Sequence, residues 1–252
     1  MNRHILSGST IKIIAVITMF IDHFGKILLK NGIVINAPYS AFSDYQFSLL
    51  LKAVDICHIL GRIAFPLFCF LLVEGFIHTH NLKKYIISLG ILAIISEPIY
   101  DLSFGRGLFS FDQQNVIFTL LLGVLMLALI RKCNDNLLIT VAATTICGIA
   151  SYLLQLDGWY YGIALIAILY YFREHDWLKY LLVLVAMYVC GLDFSLQALI
   201  DPYFLTAASS IVIMALYNGK RGLKMKYFFY IFYPLHLLVL HIIAASITTL
   251  CF

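Results

Sequence analysis

Charged and titratable side chains interrupt the long apolar runs of this sequence at only a few positions. They are Asp22, His23, Arg62, Glu74, Glu97, Asp101 and His236. A charged group at mid-bilayer costs about 2.5–3.5 kcal/mol even on the lenient insertion scale, so such residues usually face the interior of a helix bundle and carry function there. The sequence therefore predicts that the chemistry of the chain lies where these few groups converge.

The composition indicates an integral membrane protein. The 252 residues are 62% hydrophobic and 12% charged, with a mean hydropathy of +0.95, and no polar stretch is long enough for a second domain. We therefore predict one transmembrane domain over residues 1–252. The basic residues are scattered among loops and form no stripe, which argues against nucleic acid as a partner. The cysteines have no metal-ligand spacing, so no metal is expected.

The apolar runs predict an all-α, polytopic bundle of about nine membrane helices, within a range of eight to ten. The predicted spans are 11–29, 56–77, 82–100, 115–130, 137–155, 159–172, 177–191, 196–217 and 228–248. The polar stretch 31–54 is predicted to be the longest loop, with an interfacial turn near residues 45–51.

The distribution of Lys and Arg predicts an N-in, C-out orientation. Twelve of the 17 basic residues fall on one side of this nine-span arrangement, four fall on the other, and Arg62 lies within a helix. The twelve are Arg3, Lys12, Lys83, Lys84, Arg131, Lys132, Arg173, Lys179, Lys220, Arg221, Lys224 and Lys226. Because cytoplasmic loops carry the excess of positive charge, this side is the cytoplasm.

In this orientation most of the intramembrane polar residues lie between the midplane and the outer surface. Asp22 and His23 are in the outward half of the first helix, while Glu97 and Asp101, four residues apart, share one face of the third. Counting 1.5 Å per residue places His23 and His236 within roughly 6 Å of the same depth. We expect Asp22 to pair with Arg62, and His23 or His236 to pair with Glu97.

Each of these residues also has an ordinary structural interpretation. Arg62 can simply neutralise Asp22 or Glu97, because buried charges must be paired. A single buried histidine is more often a hydrogen-bonded bundle residue than a catalyst. Two histidines beside carboxylates and an arginine are harder to explain in this way, since histidine exchanges protons near neutral pH.

Six segments, in the same order along nearly the whole chain, resemble the TraX-like family of membrane proteins. They are IKIIAVITMFIDHFGKIL (11–28), GRIAFPLFCFLLVEGFIHTHNLKKY (61–85), ISEPIYDL (95–102), QNVIFTLLLG (114–123), LYNGKRG (216–222) and YFFYIFYPLHLLVL (227–240). The namesake of the family acetylates the N-terminus of a conjugative pilin. The resemblance implies a membrane-embedded acetyltransferase of the bacterial cytoplasmic membrane that uses acetyl-CoA as donor.

With this resemblance, the polar residues receive expected roles. The expected acceptor is an amine or hydroxyl outside the membrane, on an envelope or secreted protein N-terminus or a glycan, and membrane lipid surrounds the chain. A histidine acts as general base, oriented by a carboxylate, and Arg62 or Asn115 polarises the acyl oxygen. The catalytic candidates are His23, His236, Glu97, Asp22, Arg62 and Asn115, and the donor-binding candidates are Glu74, Thr79, Lys220, Arg221 and Tyr233.

Two other functions remain open at this point. A proton-coupled transporter or permease also places Asp, Glu and His inside a bundle, although the chain has no inverted repeat and no pair of helices broken by Gly or Pro. A non-catalytic membrane assembly factor is the third interpretation. Replacement of both His23 and His236 distinguishes it from the enzyme.

Overall fold

The computed structural model describes residues 5–191 and 194–251, and this part of the chain contains ten α-helices and no β-strand. The helices are α1 (Gly8–His23), α2 (Asp44–Gly61), α3 (Ala64–Ile77), α4 (Leu82–Ser103), α5 (Val116–Lys132), α6 (Leu137–Leu153), α7 (Trp159–Tyr171), α8 (Asp176–Cys190), α9 (Pro202–Ala215) and α10 (Lys226–Cys251). A π-helix (Phe24–Val34) continues α1, and short 3₁₀ helices occupy Tyr39–Ala41 and Leu196–Ile200. The predicted all-α fold is confirmed.

Three helical segments of the described chain are long and apolar enough to cross a membrane. They are Asp44–Ile77, in which α2 and α3 follow one another almost directly, Leu82–Ser103 and Tyr227–Leu250, and α6, α7 and α9 are shorter apolar helices. This architecture is that of a membrane protein. The count of nine spans and the N-in orientation stay predictions. Of the basic residues behind that orientation, Arg3 and the side chain of Lys226 lie outside the described residues.

The prediction that residues 31–54 form a loop was wrong, because α2 begins at Asp44. Ser43 and Gln46 form a capping box: the Ser43 side chain accepts from the Gln46 amide and the Gln46 side chain accepts from the Ser43 amide. This cap satisfies the free amides of the first turn, so a helix starts within a stretch that looks loop-like by polarity. The predicted span 196–217 is also divided, since Asp201 caps a helix that starts at Pro202.

Helix α1 packs against both α2 and α3, and this packing brings the polar residues together. At Gly61, the last residue of α2, an added Cβ would overlap the side chain of Asp22. Only glycine allows the backbone of α2 to approach this carboxylate so closely. The other end of the chain completes the arrangement, because α10 packs along α4 and along the π-helix that continues α1.

The segment before α1 pairs with the connection between α9 and α10. The Leu6 amide donates to the Leu216 carbonyl at 2.9 Å, and the Gly8 and Ser9 amides donate to the carbonyls of Lys220 and Arg221 at 2.8 and 3.0 Å. Gly222, at φ +70°, lies so close to Ser9 that a side chain would collide with its hydroxyl. The first and last helices are therefore joined at one end of the bundle.

Candidate functional site

His23 and His236 are in direct contact at the centre of the bundle. His23 Nδ1 lies 2.7 Å from His236 Nε2, and the two rings stack with centroids 5.0 Å apart. Both side chains are buried, and His236 Nδ1 lies 2.8 Å from the carbonyl of Phe232. Since this carbonyl accepts, His236 Nδ1 carries its proton and Nε2 accepts from His23. The remaining nitrogen, His23 Nε2, then holds a lone pair.

Asp22, one residue before His23, is bound by three side chains from two helices. Its carboxylate lies 2.8 Å from Lys26 Nζ, 3.0 Å from His58 Nδ1 and 3.7 Å from the guanidinium of Arg62. The expected pair of Asp22 and Arg62 is thus part of a larger cluster. Lys26, four residues after Asp22, and His58, four before Arg62, were missed, although the i,i+4 spacing of each was visible in the sequence.

The expected pairing of a histidine with Glu97 was wrong. In the described chain no hydrogen bond or ion pair links Glu97 to either imidazole, and Glu97 Oε2 instead accepts from both the amide (3.0 Å) and the side chain of Asn115. Asn115 also donates to the Ala93 carbonyl at 2.9 Å and caps α5 through the Ile117 amide. Its hydrogen-bonding groups are therefore used in joining α4 to α5.

Asp101, four residues after Glu97, holds the loop between α4 and α5. Its Oδ2 accepts from the Ser110 amide at 2.8 Å. One oxygen of Glu97 and one of Asp101 are buried without a hydrogen-bond partner in the described residues. These two carboxylates do share a helix face, as expected, but their partners belong to this loop and to the start of α5.

Two cavities adjoin near the histidine pair; His23 lines one of them and His236 lines neither. The first, here called the Arg221 cavity, has a volume of about 590 Å³ and extends between the N-terminal half of α1 and the C-terminal half of α3. The second, the Asp22 cavity, has about 760 Å³ and includes His23, Arg62 and Asp157. Met19, Phe68 and Val116 line both. Since loops from opposite ends of the helices line them, the cavities open at opposite ends of the bundle.

Most of the residues expected at a donor site line the Arg221 cavity. Glu74, Thr79, Arg221 and Tyr233 do so, whereas Lys220 does not and is exposed. Lys12, one turn into α1, lines the cavity near Arg221, and its Nζ lies 5.4 Å from the ring centroid of Phe229. Sequence reasoning used Lys12 only as an orientation signal. Its position four residues after the pairing segment at Gly8 places it at the cavity mouth.

Asp157 lies in the turn between α6 and α7 and lines the Asp22 cavity. Its carboxylate accepts from the Gln113 side chain at 3.4 Å, and burial raises the pKa of this carboxyl above its usual value. In the described residues no group of His, Cys, Asp and Glu side chains has the geometry of a metal site.

The fold and these cavities define an all-helical membrane protein with a histidine pair buried between two openings. The model of the family described as TraX protein matches residues 7–244, and the chain belongs to this family. A similar protein is the probable fimbrial assembly protein FimC, serogroup H1, of Dichelobacter nodosus, which is 27% identical over 95% of this chain and 97% of the relative. No solved structure matches the chain significantly.

Proposed function

We propose that this protein is a multi-pass acetyltransferase of the bacterial cytoplasmic membrane. It transfers an acetyl group from cytosolic acetyl-CoA to an amine or hydroxyl that arrives from the opposite side. The observation that carries the proposal is the contact of His23 with His236, together with two cavities that open at opposite ends of the bundle and share Met19, one turn before His23. A donor and an acceptor that enter separately would meet there.

The hydrogen bonds around the pair favour His23 as the general base. The Phe232 carbonyl fixes the proton of His236 on Nδ1, so His236 Nε2 accepts from His23 Nδ1 and the lone pair of His23 is on Nε2. In the reaction His23 Nε2 removes the proton of the acceptor while His236 orients the ring. His236 thus takes the position that a carboxylate has in many acyl-transfer sites.

The Arg221 cavity suits an acyl-CoA donor. Lys12 and Arg221 form no ion pair among the described residues and line the Arg221 cavity, so they are free to neutralise phosphate oxygens. Deeper in the cavity, leucine, isoleucine and phenylalanine side chains provide the apolar channel that a pantetheine arm requires. Glu74 and Thr79 lie on the approach, and Tyr233 lies near the reacting end.

The Asp22 cavity is the proposed acceptor site. In this cavity the Asp22 carboxylate is already neutralised by Lys26 and Arg62. The aromatic side chains of Trp159, Tyr160 and Tyr203 form part of the cavity wall. A protein N-terminus or a glycan hydroxyl of the cell envelope fits this surface. The fimbrial assembly role in the name of the relative favours an envelope protein.

Acetyl transfer by the purified protein in lipid nanodiscs tests the proposal. Radiolabelled acetyl-CoA and an envelope extract are supplied, and labelled acceptors are identified by mass spectrometry. His23→Ala should abolish transfer, whereas the control His175→Ala, at an exposed histidine in the turn before α8, should leave it unchanged. Equal transfer by the wild type and His23→Ala would refute the proposal, and proton flux without any transfer would indicate a transporter.

The donor site has its own test. Lys12→Glu together with Arg221→Glu should weaken acetyl-CoA binding, measured by calorimetry in detergent, because two cations at the cavity mouth become anions. The matched control is Lys224→Glu, an exposed lysine outside the cavity. If both variants bind acetyl-CoA as tightly as the wild type, the phosphates of CoA do not bind at this cavity mouth.

A further inference from the structure

The two residues first expected to polarise the acyl oxygen are both occupied by other partners. Asn115 donates to the Ala93 carbonyl and to Glu97. The Arg62 guanidinium faces Asp22 and donates through Nε to the His58 carbonyl at 3.3 Å. Withdrawing either side chain would break these contacts, although Asp22 would keep Lys26 and His58, and Glu97 would keep the Asn115 amide. A donor that is not already engaged suits the oxyanion of an acyl transfer better.

An uncommitted donor lies beside the histidine pair. The Tyr233 side chain is 4% exposed and lines the Arg221 cavity, and its hydroxyl has no hydrogen-bond partner in the described residues. Its ring meets that of His23 edge-on, with centroids 6.5 Å apart. Since a buried hydroxyl proton without an acceptor costs free energy, this hydroxyl beside a cavity points to a ligand that accepts its proton.

A backbone amide lies next to this hydroxyl. Val116 is the first residue of the 17-residue helix α5 and lines both cavities. The Asn115 cap binds the amide of Ile117, and no main-chain group in the described residues accepts from the amide of Val116. This amide is directed at the oxygen of the Tyr233 hydroxyl, so the proton of that hydroxyl stays available to a ligand. The partial positive charge of the α5 N-terminus adds to that of this amide.

We propose that the Tyr233 hydroxyl, which faces the Val116 amide at the start of α5, is the oxyanion donor of this acetyltransferase, an inference that rests on the proposed function. The acceptor nitrogen or oxygen bonds to the thioester carbonyl carbon as His23 Nε2 takes its proton. The carbonyl oxygen becomes negative and accepts from the Tyr233 hydroxyl. The carbon–sulfur bond then breaks, and the thiolate of CoA takes the proton from His23, so that acetylated acceptor and CoA thiol leave.

Tyr233→Phe in the full chain, in nanodiscs, tests this inference with labelled acetyl-CoA and envelope extract as probes. Removing one oxyanion donor lowers kcat by roughly 10²–10³-fold, and the KM for acetyl-CoA should not change. The control is Tyr170→Phe, which removes the hydroxyl of another buried tyrosine, bound to Asp135 and outside both cavities. Its kcat should equal that of the wild type.

The outcomes separate the two proposals. If the wild type transfers acetyl and Tyr233→Phe has the same kcat, the oxyanion role of Tyr233 is overturned and the acetyltransferase stands. If the wild type transfers no acetyl, the proposed function fails and this inference fails with it. A second measurement guards against misfolding: difluorotyrosine at position 233, a stronger donor of the same shape, should restore the rate that Phe loses. Failure to restore it in a protein of wild-type thermal stability would overturn the donor role.

Discussion

Asn115 joins two helices, and its replacement should therefore cost more stability than the loss of a helix cap alone. Its Oδ1 caps α5, while its Nδ2 donates to the Ala93 carbonyl and to Glu97. Loss of a cap costs about 1 kcal/mol, and loss of the two side-chain hydrogen bonds, at about 0.5–1.5 kcal/mol each, costs about 1–3 kcal/mol more. Asn115→Ala should thus lower the free energy of unfolding by about 3 kcal/mol.

Steric trapping in bicelles measures this free energy of unfolding. Two further variants separate the contribution of the helix cap from that of the Nδ2 hydrogen bonds. Asn136→Ala removes the exposed cap of α6, whose side chain accepts from the Ile139 amide, and should cost about 1 kcal/mol. Asn115→Ser keeps a capping oxygen but loses the donor to Ala93 and Glu97, so it should be less destabilised than Asn115→Ala. Equal losses for Asn115→Ala and Asn136→Ala would refute the reasoning. If Asn115→Ala were as stable as the wild type but transferred no acetyl group, Asn115 would have a catalytic role.

Three further predictions concern packing, protonation and orientation. Gly61→Ala should destabilise the protein strongly in thermal unfolding because its Cβ overlaps Asp22, whereas Gly90→Ala, whose Cβ meets only Leu121 at 3.9 Å, should change stability by less than about 1 kcal/mol; equal effects would contradict the close approach. Because burial raises the pKa of Asp157, ionisation of this carboxyl opposes folding. Asp157→Asn should then raise Tm at neutral pH, with the gain vanishing below the usual Asp range, and an unchanged Tm would exclude this penalty. Cysteines placed at 157 and 224 should label from outside and from the cytoplasm respectively, and the reverse result would invert the orientation.

The depth of the site was predictable from sequence, but its pairings were not. Counting along regular helices placed His23 and His236 at a similar depth, because the rise per residue is fixed, and their rings do stack 5.0 Å apart. Which side chain faces which depends on how the helices pack around one another, and apolar runs in a bilayer protein carry little of that information. Glu97 was therefore assigned to the wrong partner, and His58 was overlooked.

The prediction of where α2 begins was wrong for a local reason. The capping box of Ser43 and Gln46 is written in the sequence, but the surrounding polar residues outweighed it when the spans were chosen by hydrophobicity. Similarly, Lys12 was read only as a charge that sets orientation. Its place at a cavity mouth depends on the pairing of the segment before α1 with the connection between α9 and α10. No periodic pattern in the sequence predicts this pairing.

That pairing has a consequence for how the protein is made. The mouth of the Arg221 cavity is built from residues around Gly8 and from a connection that lies far later in the chain, at Arg221. Tyr233 and His236 follow later still. Eight of the ten helices precede residue 200, yet a nascent chain of that length holds neither the mouth nor the second imidazole. The unfinished chain thus lacks both this cavity mouth and the contact between the two histidines, and they form only when α10 joins α1.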